Sequence, residues 1–230
     1  MLGMTMLTLS ASVLNPQIPR PKAEVTAHLA ETHSVGARKT EKPPPAVIWL
    51  KPLQTGAASA AVPGNYTLLQ KNKMFTPHLL VVPVGSSVAF PNVDPFFHNV
   101  FSLFDGRRFD LGLYEAGSTR SVTFSREGVS YIFCNIHSEM SAVVIALTTP
   151  FYVIADGRGV FHMKDVPDGE YDLHVWIEGQ RQDVLDRLTR RVRIVGAAVD
   201  LGEIHSDHAA PAEHLNKFGR PYEPDTNPIY

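Results

Sequence analysis

Cys134, His137 and Met140 stand at C-x2-H-x2-M spacing within Phe133-Cys134-Asn135-Ile136-His137-Ser138-Glu139-Met140, and His98 lies far upstream. Together they offer one thiolate, two imidazoles and a thioether. This donor set defines an electron-transfer copper centre: a deprotonated sulfur bonds copper covalently, two neutral imidazoles complete a trigonal plane, and a weak axial thioether favours the reduced metal. Four protein ligands leave no open position for a substrate, unlike a catalytic metal, which keeps one. The expectation is one copper ion, transfer of an electron, and no enzymatic bond chemistry. Zinc is the rival metal, but it takes thiolate, imidazole or carboxylate, and the thioether argues against it.

Ligands so far apart in sequence must be gathered by loops at one end of a scaffold. The scaffold reads as strands: Ala46–Leu50, Tyr66–Gln70, Leu79–Val84, Ser87–Phe90, Ser121–Phe124, Val129–Phe133 and Ala142–Leu147 are short apolar runs split by turn residues such as Gly85, Gly117 and Gly128. Such spacing without a helical period predicts a β-sandwich. Cys134 ends one strand, a tight turn returns His137, Met140 meets the start of the next strand, and His98 lies in a separate loop before Phe109–Tyr114.

Pro150 marks a boundary. Beyond it Phe151–Ile154, Val160–Met163, Tyr171–Ile177, Thr189–Val195 and Val199–Ile204 are candidate strands, and alternation puts Tyr171, Leu173, Val175 and Ile177 on one face. The expected organisation is therefore all-β. Leader and linker occupy 1–45, a Greek-key sandwich 46–148, a smaller β-sandwich 149–204 and a flexible tail 205–230.

An apolar content of 44% over 230 residues fits a globular chain with a real core. A net charge of −2 provides no basic footprint for nucleic acid. The single cysteine rules out an intramolecular disulfide, leaving a buried spectator, a nucleophile or a metal ligand. Met1–Leu14 is apolar but lacks a preceding Lys or Arg and is too short to span a bilayer. It reads either as a signal peptide with its start upstream or as a disordered leader. No metalloprotease H-E-x-x-H, phosphate-binding glycine loop or G-x-S-x-G elbow is present.

Phe90-Pro91-Asn92-Val93-Asp94, His98-Asn99-Val100, and then Cys134, His137 and Met140 resemble the N-x-D, H-N-V and C-x2-H-x2-M pattern of the cupredoxins, the blue copper proteins. The loop from Cys134 to Met140 is as short as in amicyanins, and the resemblance, amicyanin- and plastocyanin-like, spans about Ala46 to Leu147. It implies a Greek-key sandwich with one type 1 copper held by His98, Cys134, His137 and Met140. It also implies periplasmic or extracellular electron transfer with redox protein partners, the electron leaving through the more exposed His137. Asn99 would hydrogen-bond to the cysteine loop and lock the ligand loops together. Phe96, Phe97, Phe101 and Phe104 would shield the metal or simply pack the core.

Asp156-Gly157-Arg158-Gly159-Val160-Phe161 and Val166-Pro167-Asp168-Gly169-Glu170-Tyr171 resemble small transthyretin-like or carboxypeptidase-regulatory-like β domains, which are structural or adhesive. The combined architecture resembles bacterial proteins labelled methylamine utilisation protein. Two other functions stay open: a copper carrier or sensor that delivers the metal itself, and a structural or adhesion protein with a vestigial site. Two residues are uncertain: Glu139, which would replace Met140 by a harder carboxylate ligand, and His78, a metal-proximal or electron-exit candidate. His205, His208 and His214 are weaker copper-capture candidates in the tail.

Overall fold

The computed structural model describes residues 22–32, 42–54, 61–103, 106–207 and 215–222. The leader Met1–Leu14, Phe104, His208 and His214 lie outside them. The chain opens with β1 (Lys22–Thr32) and β2 (Ala46–Pro52). Three short strands follow, β3 (Asn65–Thr67), β4 (Leu69–Lys71) and β5 (Met74–Thr76). Then come β6 (Leu79–Pro83), β7 (Ser86–Pro91), β8 (His98–Ser102) and β9 (Phe109–Tyr114). The strands β10 (Thr119–Phe124), β11 (Gly128–Cys134) and β12 (Ser141–Leu147) complete the first half. The second half holds β13 (Tyr152–Ile154), β14 (Val160–Pro167), β15 (Gly169–Ile177), the short helix α1 (Gln182–Leu188), β16 (Arg190–Ile194) and β17 (Ala198–Asp207).

The all-β expectation holds. One sandwich faces a three-stranded sheet, β10-β7-β3, against a five-stranded sheet, β6-β12-β11-β8-β9. Alternation along β7 turns Ser86, Val88 and Phe90 inward, and Phe124, Ile132 and Val144 meet them in the core. The second sandwich faces β14-β1-β17 against β13-β2-β15-β16. Tyr171, Leu173, Val175 and Ile177 are all buried there, and Tyr171 anchors its turn by donating its hydroxyl to the Pro167 carbonyl at 2.7 Å. Burying one such apolar side chain contributes about 1.5–3 kcal/mol.

The five-stranded sheet is covered on both faces. Along β12, Ala142, Val144 and Ala146 join the first core, whereas Val143, Ile145 and Leu147 join the second, beside Val47, Ile48 and Trp176. Polar contacts stitch the same seam: the Trp176 indole N–H donates to the Tyr131 hydroxyl at 3.2 Å, the Thr149 hydroxyl to the Leu50 carbonyl at 2.8 Å, and Lys51 pairs with Glu127 at 2.8 Å. Gly106 lets the chain between β8 and β9 cross β11, since a Cβ there would stand 2.5 Å from the Val129 carbonyl oxygen.

The structure moves the expected boundaries. Lys22–Thr32, expected to be linker, is the central strand of the outer sheet, antiparallel to β14 and parallel to β17. Its pattern is period two, with Ala23, Val25 and Ala27 buried and Lys22, Glu24 and His28 exposed. Two alanines made that face weakly hydrophobic, so the alternation carried little weight. Ala46–Pro52, expected to open the first sandwich, pairs instead with β13 and β15 of the second. Nothing local fixes that choice, because β2 is apolar on both faces. The helix α1 was not anticipated; it buries Leu185 and carries an Asp183–Arg187 pair. The flexible tail from 205 is corrected too: β17 runs to Asp207, and residues 215–222 pack against the first sandwich. Among the described residues no helix is long and apolar enough to cross a membrane.

Candidate metal centre

The centre sits where β11 stops and β12 begins. Cys134 is the last residue of β11, and the loop back to β12 closes on itself: the Cys134 N–H donates to the Met140 carbonyl at 3.1 Å and the Met140 N–H to the His137 carbonyl at 3.2 Å. Strand β8 pairs antiparallel with β11, Val100 opposite Cys134. His98, expected on a loop, is the first residue of that strand, so the sheet itself fixes its distance from the cysteine.

The sequence brings three donors to one point. Cys134 Sγ lies 3.6 Å from His98 Nδ1 and 3.5 Å from His137 Nδ1, and the three donor atoms all fall within 4.8 Å of one another. Two metal–ligand bonds of about 2 Å each would span the shorter gaps. The imidazole centroids are 4.9 Å apart, and Phe96 packs against both, at 5.3 Å from His98 and 5.6 Å from His137. Met140 is fully buried in the same core cluster as Cys134. Glu139 beside it is exposed and accepts a hydrogen bond from Ser138 at 3.3 Å, outside the donor cluster.

Electrostatics distinguish the members. Burial pushes the Cys134 thiol up, while backbone N–H groups of Asn99, Ile136 and His137 pull the other way by donating to the sulfur. These amides are fixed dipoles that favour a thiolate without adding a formal charge. Burial holds His98 below its ordinary value, outweighing the upward pull of Asp94. A neutral imidazole is the form that binds metals. The Nε2 of His98 faces Asp94 Oδ2 at 2.9 Å, which leaves Nδ1 directed at the sulfur. Asp94 is itself pulled upward by burial, but N–H groups of Lys73 and Asn72 and the His98 ring hold it below the usual carboxylate range.

The other candidates fall differently. The Asn99 side chain does not reach the cysteine loop; its Nδ2 donates to Asp110 Oδ1 at 2.6 Å, and the loop is met by the Asn99 backbone, whose carbonyl accepts the Asn135 N–H at 3.0 Å. Two adjacent strands bring those backbones within reach before any side chain is needed. His78 is engaged at both nitrogens, with the Ser141 carbonyl at 3.1 Å and Glu178 at 2.5 Å, and serves the seam between the sandwiches. Phe101 packs on Phe133, and Phe97 is exposed. His205 faces Glu203 at 3.5 Å, apart from the cluster.

Sequence reasoning assigned no role to four residues that surround the centre. Asp94 had a signal in the Asn92-Val93-Asp94 motif four residues before His98. Asp110, Lys217 and Tyr222 had none: Lys217 Nζ pairs with Asp110 at 2.8 Å, and the Tyr222 hydroxyl donates to the Cys134 carbonyl at 2.8 Å.

No family model matches the chain, and no curated protein matches it. Among solved structures it is similar to a purple cupredoxin from Nitrosopumilus maritimus, with 23% identity, 36% of this chain and 99% of that chain covered, and a TM-score of 0.33. It is also similar to a copper-containing nitrite reductase from Thermus scotoductus, with 25% identity, 42% and 25% covered, and a TM-score of 0.35. A third is a reduced amicyanin variant, with 19% identity, 44% and 98% covered, and a TM-score of 0.33.

Proposed function

We propose that this chain is a one-electron carrier whose first sandwich holds a mononuclear copper between His98, Cys134, His137 and Met140. The observation that carries the reading is the meeting of Cys134 Sγ with His98 Nδ1 at 3.6 Å and His137 Nδ1 at 3.5 Å in a buried site. A cysteine that merely fills a core has no reason to face two imidazole nitrogens. Copper bound there would supply a reversible one-electron couple.

The chain's own residues supply the rest. Backbone amides from two segments stabilise the sulfur as thiolate, and Asp94 fixes which nitrogen of His98 is available. Met140 is buried and Glu139 is exposed, which supports the thioether over the carboxylate as the fourth donor and a soft site over a hard one. Phe96 covers the imidazoles from the side. His137 is less buried than His98, which supports it as the route outward to a redox partner. Export to the periplasm or the cell exterior belongs to the same reading.

The test is the absorption spectrum of copper-loaded protein. An intense visible thiolate-to-copper band that bleaches reversibly on reduction is expected, and it should vanish in Cys134→Ser. Copper bound without that band sinks the electron-transfer reading and favours metal carriage.

A further inference from the structure

A hydrogen-bonded circuit surrounds the ligand-bearing segments. Asn99 Nδ2 donates to Asp110 Oδ1 at 2.6 Å, and Asp110 Oδ2 receives Lys217 Nζ at 2.8 Å. The Lys217 backbone N–H donates to Asn135 Oδ1 at 2.9 Å, and the Asn135 N–H returns to the Asn99 carbonyl at 3.0 Å. The circuit runs through the neighbour of His98, the neighbour of Cys134, strand β9 and the C-terminal segment. A few residues on, the Tyr222 hydroxyl donates to the carbonyl of Cys134 itself at 2.8 Å.

The segment that supplies these contacts is also held by bonds of its own. Asn216 Oδ1 accepts the N–H groups of Phe218 at 3.0 Å and Arg220 at 3.1 Å, the Asn216 N–H donates to the Arg220 carbonyl at 2.9 Å, and Gly219 takes φ +71° to close the turn. A turn ordered by its own bonds loses less entropy on docking than a loose tail would.

We propose that residues 215–222 form a strap whose Lys217 and Tyr222 are positioning residues for the metal loop, acting through Asn135 and the Cys134 backbone. Through these bonds the strap limits how far the loop carrying Cys134, His137 and Met140 departs from β8. Its weight lies in the bonds to the loop, since an isolated exposed ion pair such as Lys217 with Asp110 contributes little. The idea rests on the copper reading for its purpose but not for its geometry.

The test therefore begins with metal-free protein. In full-length Tyr222→Phe, exchange of the amides of Cys134, Asn135 and Met140 should accelerate about fivefold, the loss expected for one net hydrogen bond. The global unfolding free energy should fall by no more than the equivalent of that one bond. Asn135→Ala, which removes the acceptor of the Lys217 backbone N–H, should act in the same direction at Cys134 and Met140, whereas Lys217→Met keeps that N–H and should leave exchange nearly unchanged. Unchanged exchange in both Tyr222→Phe and Asn135→Ala overturns the strap. With copper(I) loaded, Tyr222→Phe should speed extraction by a chelator by a similar factor, and in the copper(II) form it should shift the charge-transfer band; an unchanged band and an unchanged rate overturn the positioning role. If the parent protein binds no copper at Cys134, the copper reading fails, and the exchange experiment still decides the strap.

Discussion

The Asp94 carboxylate meets Nε2 of His98 at 2.9 Å inside the first sandwich, with the ring 0% and Asp94 3% exposed. Two backbone N–H groups, from Asn72 and Lys73, hold the same carboxylate in place. The histidine is thus oriented by a group that is itself oriented, and its free nitrogen can point only at the cysteine.

Asp94→Ala should weaken copper binding by about 10–100-fold, the usual cost of losing the partner of a ligating histidine. It should also cost metal-free protein about 1–3 kcal/mol, because the buried His98 ring and the part-buried N–H groups of Asn72 and Lys73 lose their acceptor. Competition with a chelator of known affinity and urea unfolding check the two parts.

Met140→Leu should retain the visible band and raise the reduction potential, since the axial donor tunes the potential while the thiolate makes the colour. The swap nearly conserves volume, so stability should fall by less than about 1.5 kcal/mol. Glu139→Gln, at an exposed position, should leave both unchanged. Voltammetry of the three proteins separates the outcomes.

The His78–Glu178 contact should make the seam between the sandwiches sensitive to pH. The hydrogen bond that His78 donates to Glu178 lifts His78 above its ordinary value of 6.5 against the opposing effect of burial. Because the folded chain favours protonated His78, its contribution is fully present below about pH 6.5 and is lost as pH rises through the raised folded value. Both side chains are partly exposed, so the effect should stay below about 1 kcal/mol. The stability gap between the parent protein and His78→Gln, measured by urea unfolding, should narrow as pH rises through that window.

Leu173→Ala, deep in the second sandwich, should cost about 2–5 kcal/mol by leaving a cavity. Because Val143, Ile145 and Leu147 of the first sandwich share that core, the loss should lower the midpoint seen by far-ultraviolet dichroism and that seen by the copper band together. Two separate midpoints would show that the sandwiches unfold independently.

What the sequence made legible is what residue type and short spacing control. Cys134, His137 and Met140 fall on one loop, and the alternation in β7 and β15 names their inward faces directly. What stayed hidden depended on distant partners. Strand β2 could pair in either sandwich because both of its faces are apolar, and β1 hides a strand behind alanines. The Tyr222 hydroxyl and the Cys134 carbonyl lie 88 residues apart, so no local pattern announces their meeting. Asp94 lies between these extremes: the motif marked it, but only the fold showed that it faces Nε2 of His98, the nitrogen turned away from Cys134.

Strand β12 has no permissive side. Since its alternate residues fill two different cores, a one-residue insertion or deletion between Ser141 and Leu147 would exchange both sets at once and drag the start of the strand, next to Met140, out of step with Cys134. The length of the metal loop and the fit between the two sandwiches are therefore inherited as one trait. A graft that transplants the site without its neighbour, or the neighbour without the site, must rebuild both faces of this strand.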